Sequence, residues 1–226
     1  MKIVLSNEAL RTRAFEVDMS TKEGKETAHR IINEVKDELN KHGDLPGACA
    51  PQIGEDARIV CLKFSNGDVR TLINPVITFS EGTRMSREKT WLRGDREYII
   101  PRSETIQVIY QTPTGKTEEN AFTGFASCVL QNMIDLINGV LLDDVGLEIL
   151  EGFDDLGEDD KKVILAMYLK SLENRNRIAS EMVKSDKVMH AIDGAINFSQ
   201  NYLAGNIDTI PMTDEEMDSI RKKRVN

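Results

Sequence analysis

The chain is poor in the side chains that metal and redox chemistry draws on. Its 226 residues include three histidines, three cysteines and one tryptophan. His29 and His42 fall in or just after an amino-terminal helical segment and His190 lies far away. No two stand at the i, i+4 spacing that puts two imidazoles on one helix face, so solvated surface histidines are expected. Cys49, Cys61 and Cys128 sit in apolar contexts without a CxxC pair. They are expected to be buried, reduced thiols in a cytoplasmic setting rather than ligands or disulfides. No apolar run approaches the roughly 18 residues of a membrane helix. The apolar start, Met1 to Leu5, is too short for the core of a secretory signal. Positive charge is also scarce, with 29 Lys and Arg against 38 Asp and Glu, a net charge of −9. Without a basic face, nucleic acid is not expected as the main partner. The cluster Arg221 to Arg224 suits the carboxyl end of a helix and a soluble tail.

What remains is an ordinary core-forming composition. Hydrophobic residues make up 40% of the chain, enough for one large domain or one domain with an appendage. Ala28, Ile31, Ile32, Val35 and Leu39 recur at helical spacing and predict a helix from Lys22 to Lys41, broken by Gly43 to Pro46. Short strands are expected near 57–63, 69–76 and 105–111, between Gly, Asn and Pro signals. A long central helix is expected from Phe122 to Leu141. These elements give an α+β fold with mixed or antiparallel strands around a central helix.

Three segments carry chemistry by resemblance. Gly47-Ala48-Cys49-Ala50-Pro51-Gln52-Ile53-Gly54 is similar to the first motif of peptide deformylases, GLAAPQIG. Gln131-Asn132-Met133-Ile134-Asp135-Leu136-Ile137-Asn138-Gly139-Val140-Leu141 resembles, without a gap, that family's QHEIDHLNGVL. Arg87 to Gly94 resembles the EGCLS segment. Leu5 to Val17, Arg58 to Leu62, the turn Leu72-Ile73-Asn74-Pro75, Ile106 to Tyr110 and Thr114 to Lys116 resemble the family's intervening stretches. The resemblance covers roughly residues 1 to 150. It implies a deformylase fold, and an enzyme that removes the formyl group from amino-terminal methionine with a bound divalent metal.

The residues at the positions that resemblance assigns to chemistry are different. The family's first histidine falls on Asn132, its glutamate on Met133 and its second histidine on Leu136. Two histidines at i and i+4 bind one ion, and the glutamate serves as general base on metal-bound water. Leucine has no lone pair to give, methionine cannot take a proton, and asparagine is a poor ligand for a borderline-soft cation. The cysteine ligand falls on Thr90 if Glu88 matches the motif glutamate, or on Trp91 if Leu92 matches its leucine; neither supplies a thiolate. Gln52 matches the glutamine that helps bind the substrate carbonyl, and without a metal beside it reads as a framework residue bonded to backbone. Asp143 and Asp144 read as a solvated turn. The expectation is therefore a fold without its site: no catalytic residue, no metal, no cofactor.

Residues 151–226 lie outside the resemblance. An acidic, breaker-rich stretch, Glu151 to Asp160, reads as a linker. A helix from about Asp160 to Lys184 follows, with Ile164, Tyr168, Leu172, Ile178 or Ala179, and Met182 as its apolar stripe. A second helix is expected over roughly Asp186 to Leu203, forming with the first a helical hairpin that either packs on its own core or serves as a docking arm for another chain, and a short terminal helix after the capping signature Thr213-Asp214-Glu215-Glu216. Three function classes follow. One is a non-catalytic subunit of a larger assembly, contacting other protein subunits through residues 151–226, with a tailed-phage virion or baseplate as a specific version. Another is a module that keeps the deformylase groove and binds peptide without cutting it. The third is a hydrolase with a rebuilt site. The chain is expected in the cytoplasm or in a virion, without a membrane partner.

Overall fold

In a computed structural model of the chain, the described residues are 10–43, 45–89, 96–150 and 152–183. The expected helix Asp186 to Leu203, the terminal helix, His190, Thr90, Trp91 and the cluster Arg221 to Arg224 lie outside them. The chain forms two compact units, Met1–Leu156 and Gly157–Asn226.

The first unit is built on a five-stranded antiparallel sheet. Its strands are β1 (Gly47–Cys49), β2 (Ile59–Lys63), β3 (Val69–Glu81), β6 (Thr105–Gln111) and β7 (Thr117–Thr123), adjacent in the order β1-β2-β3-β6-β7. A second, three-stranded sheet joins β4 (Arg84–Lys89), β5 (Glu97–Arg102) and β8 (Leu147–Glu148). Every ladder is antiparallel, and the parallel pairing described is a single bridge, Phe15 with Ala57.

Two helices sandwich the start of the large sheet. Helix α1 (Lys22–Lys41) begins where the Thr21 hydroxyl accepts from the Gly24 amide at 3.0 Å. It buries Ala28, Ile31, Ile32, Val35 and Leu39 against Ala48, Ile59, Cys61 and Ile73. Helix α2 (Gly124–Ile137) buries Leu130, Met133, Ile134, Leu136 and Ile137 against Cys49, Val60, Leu62 and Leu72. Strand β2 is thus covered on both faces, which is why Ile59-Val60-Cys61-Leu62 is an unbroken apolar run. Beyond α1 only one face is covered: Ile106, Val108 and Tyr110 of β6 point inward while Gln107 and Ile109 stay exposed.

The central helix is shorter than expected at both ends. Phe122 is the last inward residue of β7, and the chain enters α2 only at Gly124, whose φ is 60°. At the other end Gly139, with φ 78°, takes the left-handed turn that stops the helix; its amide donates to the Leu136 carbonyl and that of Val140 to Asp135. A Cβ at Gly139 would stand 2.5 Å from the Arg11 carbonyl oxygen, so the glycine also lets the amino-terminal segment cross close by. A short helix, α3 (Leu142–Val145), follows.

Asn74-Pro75 is not a turn. Strand β3 runs on to Glu81, with register shifts between Ile73 and Val76 and between Ile77 and Phe79. Asn74 takes a positive φ of 52° inside the strand, compensated by its side chain. The Asn74 carboxamide accepts from the Val17 amide and donates to the Val17 carbonyl and to Gln111, each at 2.9 Å.

In the second unit, helix α4 (Glu158–Val183) starts with three acidic residues in its first turn, Glu158, Asp159 and Asp160. Tyr168 is buried, and Ile164 and Leu172 are half-buried. Among the described residues no helix is long and apolar enough to cross a membrane.

Candidate functional site

The first motif folds as β1 running into a 3-10 turn over Ala50–Ile53. Gln52 is 2% exposed, and its carboxamide oxygen accepts from the Cys49 amide at 2.7 Å. The chain then reverses at Gly54, where φ is 87°. Gly47 brings β1 against α2: a Cβ there would meet Val129 at 3.0 Å and the Cys61 carbonyl at 3.2 Å. The motif's outer glycines thus serve backbone geometry.

The second motif begins in β4, a strand that sequence reasoning missed because Arg84-Met85-Ser86-Arg87-Glu88-Lys89 is almost wholly polar. Its neighbour β5 tolerates Pro101 because β8 pairs only with Tyr98 and Ile99 and leaves that side free. Arg102, at the end of β5, grips Glu88 with two bonds of 2.9 Å and reaches Asp135 of α2 with its remaining nitrogen. The Arg102 and Glu88 side chains are almost fully enclosed. Burial opposes the charge on Arg102, but the bonds and charges of Glu88 and Asp135 outweigh it and raise its pKa. Burial also pushes the Asp135 carboxyl above its ordinary value, against the pull of Arg102. This bridge joins the second motif to the third. Two acidic matches with no cation assigned to them were the signal that could have found it.

On α2 the positions that the resemblance assigns to chemistry hold Asn132, Met133 and Leu136, beside Gln131. Gln131 is spent on structure: its oxygen accepts from the Ser103 amide at 3.0 Å and its nitrogen donates to the Ser103 carbonyl at 2.9 Å and to Ser127. Asn132 is half-buried. Met133 and Leu136, 5% and 7% exposed, belong to the main core cluster with Leu10, Cys49, Leu62 and Ile106. Burial pushes the thiols of Cys49 and Cys61 up, away from the thiolate form that binds metal. Among the described residues no three His, Cys, Asp or Glu side chains are grouped so that they could hold an ion. Asn132, Met133 and Leu136 do not fit the histidine and glutamate set that the resemblance implies.

The surroundings hold three corrections. Asp143 and Asp144 are not a solvated turn. The Tyr98 hydroxyl donates a short bond to Asp143, and both oxygens of Asp144 accept from Arg11 at 2.8 Å. His42 is not simply solvated, since its Nε2 lies 3.1 Å from the buried Glu38 carboxylate. Arg58, also missed, is a buried guanidinium that donates to the Asn138 side chain at 2.7 Å and to the carbonyls of Ile137 and Pro75. Burial, then the nearby Arg13 charge, lowers its pKa from the usual arginine value.

This arrangement has known counterparts. The family model described as Polypeptide deformylase matches residues 2–146. A peptide deformylase of Thermotoga maritima is 30% identical over 141 residues, spanning 62% of this chain and 83% of that protein. One of Dictyoglomus thermophilum is 29% identical over 139 residues, 62% of this chain and 87% of that protein. The crystal structure of the Thermotoga maritima peptide deformylase superposes with a TM-score of 0.53 at 32% identity, over 61% of this chain and 90% of that one. A peptide deformylase of Legionella pneumophila shares the fold with a TM-score of 0.58 at 24% identity, over 79% of this chain and 96% of that one. With its motif framework in family order on the matching fold, this chain belongs to the polypeptide deformylase family.

Proposed function

We propose that this chain is a non-catalytic deformylase-family protein, a structural or assembly subunit that uses the deformylase fold as a rigid block. The observation that carries the reading is the burial of Met133 and Leu136 in the core, at helix positions where the family's chemistry needs a carboxylate and an imidazole. A buried thioether and an isobutyl group can neither activate water nor hold an ion. The framework around them is well formed: Arg102 ties Glu88 to Asp135, and Gly139 ends the helix. Residues 151–226 are proposed to contact other protein subunits. In support, α4 exposes Val163 and Met167, 58% and 66%, one turn apart. The assembly, cellular or a phage virion or baseplate, is identified by what co-purifies with the chain.

The test combines three measurements. A formyl-methionyl peptide assay, run beside an active deformylase, should read as buffer alone. Elemental analysis of untagged protein should find less than about 0.1 metal per chain, far from the full occupancy of a closed site. Native mass should show a complex that a chain ending after Leu156, the boundary of the first compact unit, no longer forms. Turnover lost on chelation and restored by metal would overturn the non-catalytic reading, and an assembly that survives the truncation would place the interface elsewhere.

A further inference from the structure

The sequence holds the dipeptide Asn-Gly twice, at Asn66-Gly67 and Asn138-Gly139; both asparagines are exposed, but they are held by different partners. We propose that Asn66 is a site of spontaneous covalent modification, conversion of its amide to an aspartyl or isoaspartyl acid, and that the fold protects Asn138 from the same reaction.

The chemistry needs only the chain and water. The Gly67 amide nitrogen attacks the Asn66 side-chain carbonyl carbon. A nitrogen–carbon bond forms, the bond from that carbon to Nδ2 breaks, and the amide proton leaves with Nδ2 as ammonia. Water then opens the cyclic imide at either carbonyl, giving aspartate or its isomer. No electron is gained or lost. Glycine favours the step because no side chain crowds its nitrogen, and around Gly67 there is nothing within 4 Å of where a Cβ would stand.

Both residues sit exposed in the tight turn between β2 and β3. Three bonds hold the ground state: the Gly67 amide donates to the Phe64 carbonyl at 2.9 Å, the Asp68 amide to the Asn66 Oδ1 at 3.0 Å, and Asn66 Nδ2 to the Asp68 carboxylate at 2.6 Å. All belong to a water-exposed turn, where such bonds contribute little net free energy and open locally. Asn138 is exposed too, and Gly139 half-buried, but both are held differently. Its side-chain oxygen accepts from the buried Arg58 at 2.7 Å, and Gly139 is wedged against the Arg11 carbonyl and bonded to Leu136. Rotation of the Asn138 carboxamide onto the Gly139 nitrogen breaks its charge-assisted bond to Arg58, and the Gly139 amide must also leave the Leu136 carbonyl. At the hairpin the product carries a consequence: a new carboxylate replaces the donor that Asp68 now accepts from, so two like charges meet in the turn.

The full-length protein is incubated at mildly alkaline pH and mapped by peptide mass. The amide-to-acid mass increment should accumulate on the peptide containing Asn66, as an aspartyl and isoaspartyl doublet. It should exceed that at Asn138 by at least about tenfold, the factor that about 1.4 kcal/mol of difference in local opening supplies. In strong denaturant the two sites should convert at similar rates, and Gly67→Ala should slow the first in the folded protein. Conversion at Asn138 as fast as at Asn66 in the folded protein overturns the proposal. So does an unmodified Asn66 under conditions where the denatured control reacts.

Discussion

Restoring one family ligand, Leu136→His, should damage the protein rather than repair it. Leu136 is 7% exposed and packs in the core beside Met133, Ile137 and the inward residues of β2 and β3. Removing the isobutyl group forfeits about 1.5–3 kcal/mol of apolar burial. Enclosing an imidazole without a partner costs about 1–3 kcal/mol more, and the carbon atoms of the ring recover part of that. The expected net loss is roughly 2–4 kcal/mol, which for a domain of this size lowers the melting temperature by roughly 5–15 °C. The loss should depend on pH with a definite sign. A buried, unpaired imidazole is held neutral, so its folded pKa lies below the unfolded value of about 6.5. Below that value the unfolded chain binds a proton that the folded chain does not. The penalty is therefore smallest above about pH 6.5 and grows as pH falls, by at most about 1.4 kcal/mol per unit. Urea unfolding of wild type and variant from pH 5 to 8 reads both quantities, with Leu136→Met as the size control, expected to cost under about 1.5 kcal/mol. An unchanged midpoint without pH dependence would refute the reasoning. It would mean that the old pocket is open to water, and would favour the peptide-binding alternative.

Other expectations rest on other parts of the fold. Arg102→Met should lower stability by about 3–5 kcal/mol in urea unfolding, because it leaves Glu88 enclosed without its cation; a loss below about 1 kcal/mol would mean that water reaches the pair. Bonds from Lys89 and Arg87 hold the Glu97 carboxyl below its ordinary pKa, so its contribution is present above the unfolded carboxylate pKa and lost as pH falls through the lowered folded one. Glu97→Gln should therefore lower stability slightly at neutral pH, leave it little changed in acid and so flatten the acid side of the profile, and high salt should blunt the difference. Gly139→Ala meets both the 78° φ and the Arg11 carbonyl, and calorimetry should show a loss greater than the roughly 1 kcal/mol of backbone entropy that alanine otherwise returns.

Much of this architecture was written in local pattern, and the misses have local causes too. Helix α1 was legible because Ala28, Ile31, Ile32, Val35 and Leu39 follow one helical stripe under a good cap at Thr21. The central helix was drawn too long because Phe122, the last inward residue of β7, runs straight into the apolar start of α2. Strands β4 and β7 stayed hidden because neither face of Arg84–Lys89 is apolar and Phe122 alone is buried in Thr117–Thr123. Asn74 misled because an Asn-Pro pair ordinarily marks a turn, whereas here its bonds to Val17 and Gln111 and the flanking ladders carry the strand on. Of the candidate site, the three changed positions on α2 were readable by register. The ion bridge through Arg102 and the clamp of Arg58 were not, since each depends on partners distant in sequence.

That clamp bears on the order in which the chain can fold. Arg58 meets Ile137 and Asn138 across 79 and 80 positions of sequence, and the Ala14 amide reaches the same Ile137 carbonyl from still further back. Closing such long loops costs entropy that no local contact returns. The β2–β3 hairpin and α1 are made from near neighbours, whereas the last turn of α2 has no seat until that hairpin has set Arg58 and Pro75 in place. In pulse-labelled refolding, amides of β2 and β3 should gain protection before those of Asn138 to Val140, so the segment that carries the family signature would be among the latest to acquire its native surroundings.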